Sequence, residues 1–237
     1  MDLTQFYQQQ DNGKVSFSKQ QGSNFAKKIA NDFNPIHDVE AKKFIVPGDL
    51  LFAVVLNKLG LSQQMCFTFS GMVGDNVKIN LPESLPQETA VPIVDDEGRE
   101  YLNVKASGDT SHDQSLISAF TEAYVKFSGM AFPHLLVPLM EQENVMINPD
   151  RPLVIYESMS IKLEHLNIID LNLEIYKTGI KVTGKRAQVC IEFELLSGKE
   201  KVGCGKKNMI MSGLKPYESD KIDLLVENYK QRSQSLK

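Results

Sequence analysis

The chain has 237 residues, of which 42% are hydrophobic and 24% charged, with 26 basic and 30 acidic side chains giving a formal charge of -4. This is ordinary globular composition, which excludes a fibrous or disordered chain, and no segment carries the dense basic stripe that grips a phosphate backbone, so nucleic acid is not an expected partner. The cysteines Cys66, Cys190 and Cys204 are odd in number, far apart and outside any C-x-x-C spacing, which argues against both a disulfide framework and a zinc site.

The N-terminal stretch MDLTQFYQQQDNGK is polar and lacks the apolar core of a secretory signal. No later run approaches the roughly 20 apolar residues that cross a bilayer. The expectation is a cytoplasmic protein with no membrane contact. The segment from Ser16 to Phe33 places Phe25, Ile29 and Phe33 at helical spacing behind serines able to cap its start, which predicts a surface helix. After an Asn-Pro turn, Leu50 to Leu59 is apolar almost all round and stops at Gly60, as a helix buried on most sides does. The stretches MCFTFSGMVGDNV, NVKINL, LNVKAS and SAFTEAYVKF then read as strands of an antiparallel sheet separated by turn residues.

Near Phe132 the order begins again. FPHLLVPLMEQE predicts a shorter apolar helix broken or kinked at Pro138. VIYESMSIKLE, LNLEIYKTGIKVTGK and AQVCIEFELL alternate apolar and polar residues as half-buried strands do, with hairpin turns expected at KTG and LSGKE. The run GKEKVGCGKK reads as a solvated hairpin or strand. In the tail, Ile222, Leu225, Val226 and Tyr229 share one helical face, a stripe that predicts docking on the protein itself. The expected fold class is therefore α+β. Its expected units are residues 1–130, residues 131–214 and a helical tail over 215–237, the first two each carrying an apolar helix on an antiparallel sheet.

One stretch concentrates chemistry: DFNPIHD, residues 32–38. On a continuing helix Asp32 and His37 would sit on faces about 140° apart. Pro35 forbids that continuation, because its ring disfavours helical geometry at Asn34 and it lacks a backbone N–H. A carboxylate and an imidazole projecting from one rigid turn suit proton transfer near neutral pH. Asn34 is short and polar and is expected to brace the turn. His37-Asp38 and His112-Asp113 also raise a metal-hydrolase reading. Four histidines in all, with His112 in the turn-like GDTSHDQS, argue against it. His134 and His165 are expected to satisfy structural hydrogen bonds. No phosphate-binding or dinucleotide fingerprint occurs, and neither a cofactor nor a metal is expected.

Asp32-Phe33-Asn34-Pro35-Ile36-His37, followed by Ile45-Val46-Pro47-Gly48 and an apolar helix, resembles the motif of the MaoC-like R-specific enoyl-CoA hydratases. That family has the hotdog fold, an antiparallel sheet wrapped around a central helix. The resemblance covers about the first quarter of the chain and, with the repeated order of elements, implies a double hotdog. It implies that Asp32 and His37 form the acid-base pair that adds water to a 2-enoyl thioester or removes it. It also implies that Asn34 supports the loop beside the substrate and that a backbone N–H near Gly48 polarises the thioester carbonyl. The family usually has a histidine before that glycine and an apolar residue after it, where this chain has Pro47 and Asp49. No second copy of the motif occurs, which implies one site per chain. The implied partner is an acyl thioester, CoA-linked, with a homodimer as a further expectation. Two rival readings stand beside this one: a hotdog module that binds an acyl thioester without turning it over, and a thioesterase.

Overall fold

A computed structural model describes residues 1–235. The fold is α+β and is built on ten antiparallel strands: β1 (Gln8–Gln9), β2 (Lys14–Ser16), β3 (Leu61–Phe69), β4 (Ile79–Asn80), β5 (Ala90–Val94), β6 (Glu100–Ser111), β8 (Val154–Leu163), β9 (Leu171–Thr183), β10 (Arg186–Ser197) and β11 (Glu200–Ser212). A separate two-stranded ladder pairs β7 (Val145–Met146) with β12 (Lys215–Pro216). The helices are α1 (Lys19–Phe25), α2 (Gly48–Leu59), α3 (Gln114–Gly129), α4 (Ala131–His134), α5 (Leu136–Gln142) and α6 (Ser219–Ser235).

The spatial order of the large sheet is β1-β2-β4-β5-β6-β3-β8-β11-β10-β9, and β3 pairs with β8 at its middle. Outward from that junction the four consecutive strands β3 to β6 lie in the order first, fourth, third, second, and β8 to β11 lie in the same order. The first run is extended at its outer edge by β2 and β1, whereas the second ends at β9. Alternation sets which face is buried: Ala187, Val189, Ile191, Phe193 and Leu195 of β10 all point inward, one side of the pleat.

Helix α2 is almost wholly buried, from Leu50 to Leu56 and again at Leu59. Its Phe52 ring lies 5.0 Å from Phe67 of β3 and 4.8 Å from Tyr124 of α3, and Phe193 of β10 closes on Phe127 of α3 at 4.9 Å. Each such aromatic contributes roughly 1.5–3 kcal/mol by leaving water. The cluster ties both helices to strands on either side of the β3–β8 junction.

Several expected elements differ in the structure. SAFTEAYVKF lies inside helix α3, not in a strand. Leu116, Ile117, Phe120, Tyr124, Val125 and Phe127 are its buried apolar residues, and their three- and four-residue spacing outweighs the strand propensity of Phe, Tyr and Val. Asp113 caps that helix, its carboxylate accepting from Ser115 N–H. FPHLLVPLMEQE forms two short helices that part at Leu135, with Phe132 in extended geometry. Pro138 does not make the break, since it falls in the first turn of α5, where its missing N–H has no intrahelical acceptor to lose. Strand β9 runs straight through the KTG triplet, and its hairpin turns at Gly184 instead. LSGKE does turn, with Gly198 at φ 60°. No described helix is long and apolar enough to cross a membrane.

Candidate active site

The motif turn is made by three local events. Helix α1 widens into one π-type turn over Ala26–Ala30, and the chain leaves it at Asn31, whose φ of 55° is left-handed. Asn is among the few residues that accept this geometry at low cost. The helix thus ends before Pro35 is reached, and Asp32 N–H closes back on Ala26 O at 2.8 Å. Pro35 then opens a short 3-10 turn, Pro35–His37, whose cap is Asn34: its Oδ1 accepts from Ile36 N–H at 3.2 Å. Asn34 N–H in turn donates to Asp32 Oδ1 at 2.9 Å.

This geometry brings Asp32 and His37 together, with Oδ2 and Nε2 3.6 Å apart. The other ring nitrogen of His37, Nδ1, lies 2.7 Å from Ile45 O. A carbonyl only accepts, so Nδ1 carries the proton and Nε2 is the nitrogen turned toward Asp32. Ile45 N–H returns a bond to Ile36 O at 3.1 Å, which pins both ends of the intervening loop.

Helix α6 holds the turn from outside. Tyr229 Oη accepts from Phe33 N–H at 3.2 Å and donates to Asn31 O at 3.3 Å. Arg232 grips both carboxylate oxygens of Asp38, at 2.9 and 2.7 Å, and Phe33 O at 3.2 Å, while Lys27 approaches Asp38 at 3.0 Å. The predicted apolar stripe therefore docks on the protein, with Ile222 fully buried, and the hydroxyl of its Tyr229 clamps the motif. Arg232 lies outside that stripe, and its role had no signal in the sequence.

Asp32, Asn34, His37 and Gly48 all line one cavity of about 190 Å³. Its walls come from the start of α2, the end of β3, the end of α3, the strands β8 and β11, and α6, and they include the apolar side chains Ile36, Val46, Phe69, Val73, Leu136 and Met209. Gly48 opens α2, and Pro47 before it supplies no side-chain cap. A Cβ at Gly48 would stand 2.9 Å from the Tyr156 ring, so only glycine lets β8 approach the helix end this closely.

The opposite wall carries a second polar group that sequence reasoning missed. Lys207, in the run read as solvated, is buried, because Lys207, Met209 and Met211 occupy one parity of β11 and all face inward. That alternation was the available signal. Lys207 Nζ donates to Ser128 Oγ, which donates to Asp49 Oδ2. Nζ also lies 3.9 Å from Asp49 Oδ1 and 4.1 Å from the centre of the Tyr156 ring. A bulge in β8 turns Tyr156 inward: Asn208 pairs with Ser158 but Met209 with Tyr156, which leaves Glu157 over. Such an extra residue re-aims the side chains beyond it. Ser128 is brought in by Gly129, since a Cβ there would meet Ala30 O at 1.6 Å, and the bare backbone lets α3 abut the π-type turn. Burial pushes the Asp49 carboxyl above its ordinary value and Lys207 below its own, each opposed by the charge of the other. Among the described residues no cluster of His, Cys, Asp and Glu is arranged to hold a metal ion.

Solved structures similar to this chain include the tesB protein of Mycobacterium avium subs paratuberculosis, at 9% identity and a TM-score of 0.47, covering 88% of this chain and 97% of that one. Another is an acyl-CoA thioesterase II, TesB2, from Mycobacterium marinum, at 11% identity and 0.44, covering 92% and 100%. A bifunctional dehydratase-cyclase domain in ambruticin biosynthesis is similar at 10% identity and 0.38, covering 93% and 97%. No curated protein matches the chain. Residues 1–220 match the family model described as "Protein of unknown function (DUF3581)", and the chain belongs to that family.

Proposed function

We propose that this protein is a double hotdog that binds an acyl thioester, CoA-linked, and adds water across its 2,3 carbon bond or removes it. One unit comprises α2 with β3 to β6 and the other α3 with β8 to β11, which moves the boundary from the expected residue 130 to the start of α3 at Gln114; the shared strand order about the β3–β8 junction supports this division. The observation that carries the catalytic reading is the Asp32–His37 pair, 3.6 Å apart in the wall of an apolar cavity at the open end of α2.

In the hydration direction, the neutral His37 ring with its proton on Nδ1 has a free lone pair on Nε2, which accepts a proton from water as the water oxygen bonds to carbon 3. Asp32 holds the imidazolium that results. The first amides of α2 stabilise the negative charge that develops on the thioester oxygen. The enolate then takes a proton at carbon 2 from the pair, so that one water is consumed and the residues return to their starting state. Asn34 acts through the turn: its amide fixes Asp32 and its side chain caps Ile36.

The test follows loss of enoyl absorbance with crotonyl-CoA and longer enoyl-CoAs. Asp32→Asn and His37→Ala are each expected to lower kcat by about 100-fold or more. Turnover untouched by both substitutions rejects the assigned roles, and tight binding of acyl-CoA without turnover by the wild type identifies a binding module. A second reading, thioester hydrolysis, has one observation in its favour, the Ser128 hydroxyl bonded to Lys207 and Asp49 in the same cavity; release of free thiol that Ser128→Ala abolishes selects it. A homodimer is the proposed assembly, and sedimentation measures it directly.

A further inference from the structure

Asp49 stands in the first turn of α2 with 12% of its side chain exposed. A carboxylate there favours the helix but opposes negative charge gathering on an oxygen held by the same helix end. The charged and titratable groups facing it are Lys207 from β11, Tyr124 from α3, Tyr156 from β8, and Asp32 and His37 across the cavity, with the Ser128 hydroxyl from α3 beside them. Lys207 is the single cation of that set on the wall behind Asp49. It reaches Oδ2 through Ser128 and stands 3.9 Å from Oδ1, which is buried and has no hydrogen-bond partner among the described residues. The ammonium therefore meets that oxygen by charge alone.

Resting on the hydration reading above, we propose that Lys207 is a positioning residue that acts through Asp49: its ammonium cancels the carboxylate charge and so leaves the end of α2 able to stabilise an enolate. Lys207 has no direct part in the proton transfers. This explains why an acidic residue follows Gly48 in a site that must accept negative charge, and why a lysine occupies an inward position of β11.

The experiment is a double-mutant cycle on the full chain, with kcat and KM for enoyl-CoA hydration measured across pH. In Lys207→Met, Asp49 loses its cation while staying buried, so it binds its proton more tightly. While protonated it is neutral and harmless. The variant is expected to keep its activity at low pH and to lose about tenfold or more in kcat as pH rises through the ionisation of Asp49, with KM changed by less than about twofold. In an Asp49→Asn background that falling limb is absent, and adding Lys207→Met changes kcat by less than about twofold. A tenfold loss on adding Lys207→Met to Asp49→Asn overturns the proposal, because Lys207 then acts on the substrate directly. Full kcat of Lys207→Met at every pH overturns it as well. Both results leave the hydration reading standing, whereas absence of hydration by the wild type removes both. If Lys207→Met alone does not fold, the comparison of Asp49→Asn with the double variant decides the matter by itself.

Discussion

Replacing Tyr229 with Phe removes one oxygen from beneath the motif turn and leaves the rest of the packing in place. The ring keeps its edge-on contacts with Phe33 at 5.8 Å and Phe132 at 5.0 Å. What is lost is the acceptor of Phe33 N–H at 3.2 Å and the donor to Asn31 O at 3.3 Å. Both bonds are long, so each is worth about 0.5–1 kcal/mol, and stranding the Phe33 amide raises the total to about 1–2.5 kcal/mol. For a chain of this size that lowers the melting temperature by about 2–10 °C. The substitution also reaches function, because the freed segment sets the distance between Asp32 and His37, and a displacement on the order of 1 Å can cost about 100-fold in rate. We expect kcat for enoyl-CoA hydration to fall about tenfold, with KM changed by less than about twofold. Urea denaturation and initial rates on the same preparation measure both quantities. An unchanged denaturation midpoint together with an unchanged kcat refutes the view that α6 holds the site in register.

Three further outcomes follow from the same geometry. Gly129→Ala places a methyl group 1.6 Å from Ala30 O, and since two backbones must part to admit it, a loss of about 3 kcal/mol or more in urea denaturation is expected. Arg232→Ala removes the Nη2 group that bonds both oxygens of Asp38 and is partly open to water, with 31% of the arginine side chain exposed; after allowance for screening, about 1 kcal/mol is expected, shrinking as salt is added. The Asp49–Lys207 pair sets a stability profile in pH. Asp49 is raised from its ordinary 3.8, so its contribution is full below that value and is lost as pH rises through the folded one; Lys207 is lowered from 10.5, so its contribution is full above that value and is lost as pH falls through the folded one. At pH 7 the pair is thus buried at a cost, and the double variant Asp49→Asn, Lys207→Met is expected to be as stable as the wild type or more so by about 1–4 kcal/mol. The wild type should regain ground against it as pH falls toward 4, measured by denaturation at a series of pH values, and a flat difference across that range contradicts the assignment of Asp49.

What the amino-acid sequence determined by itself is whatever rests on neighbours along the chain. A proline disfavours helical geometry at the residue before it, so the turn at Asn34-Pro35 and the departure of His37 from the α1 axis were legible without coordinates. The apolar circumference of α2, the pleat of β10 and the docking stripe of α6 were legible for the same reason, each being a periodic pattern read over one element. Even so, the turn begins earlier than Pro35 implies, because Asn31 adopts left-handed geometry after a π-type turn that no local pattern announces. Helix α3 was missed because its aromatic and β-branched residues carry strand propensity, while its true period appears only against the partners it buries. What only the tertiary structure decided is the second wall of the cavity. Lys207, Ser128, Asp49 and Tyr156 come from four elements, and they meet because β11 pairs with β8, because a bulge rotates Tyr156 inward, and because Gly129 lets α3 touch the turn after α1. A lysine beside another lysine in a polar run looks like surface until the strand pairing assigns its parity. Burial of a charge belongs to the assembled sheet, since the desolvation and the compensating partner both come from residues remote in sequence.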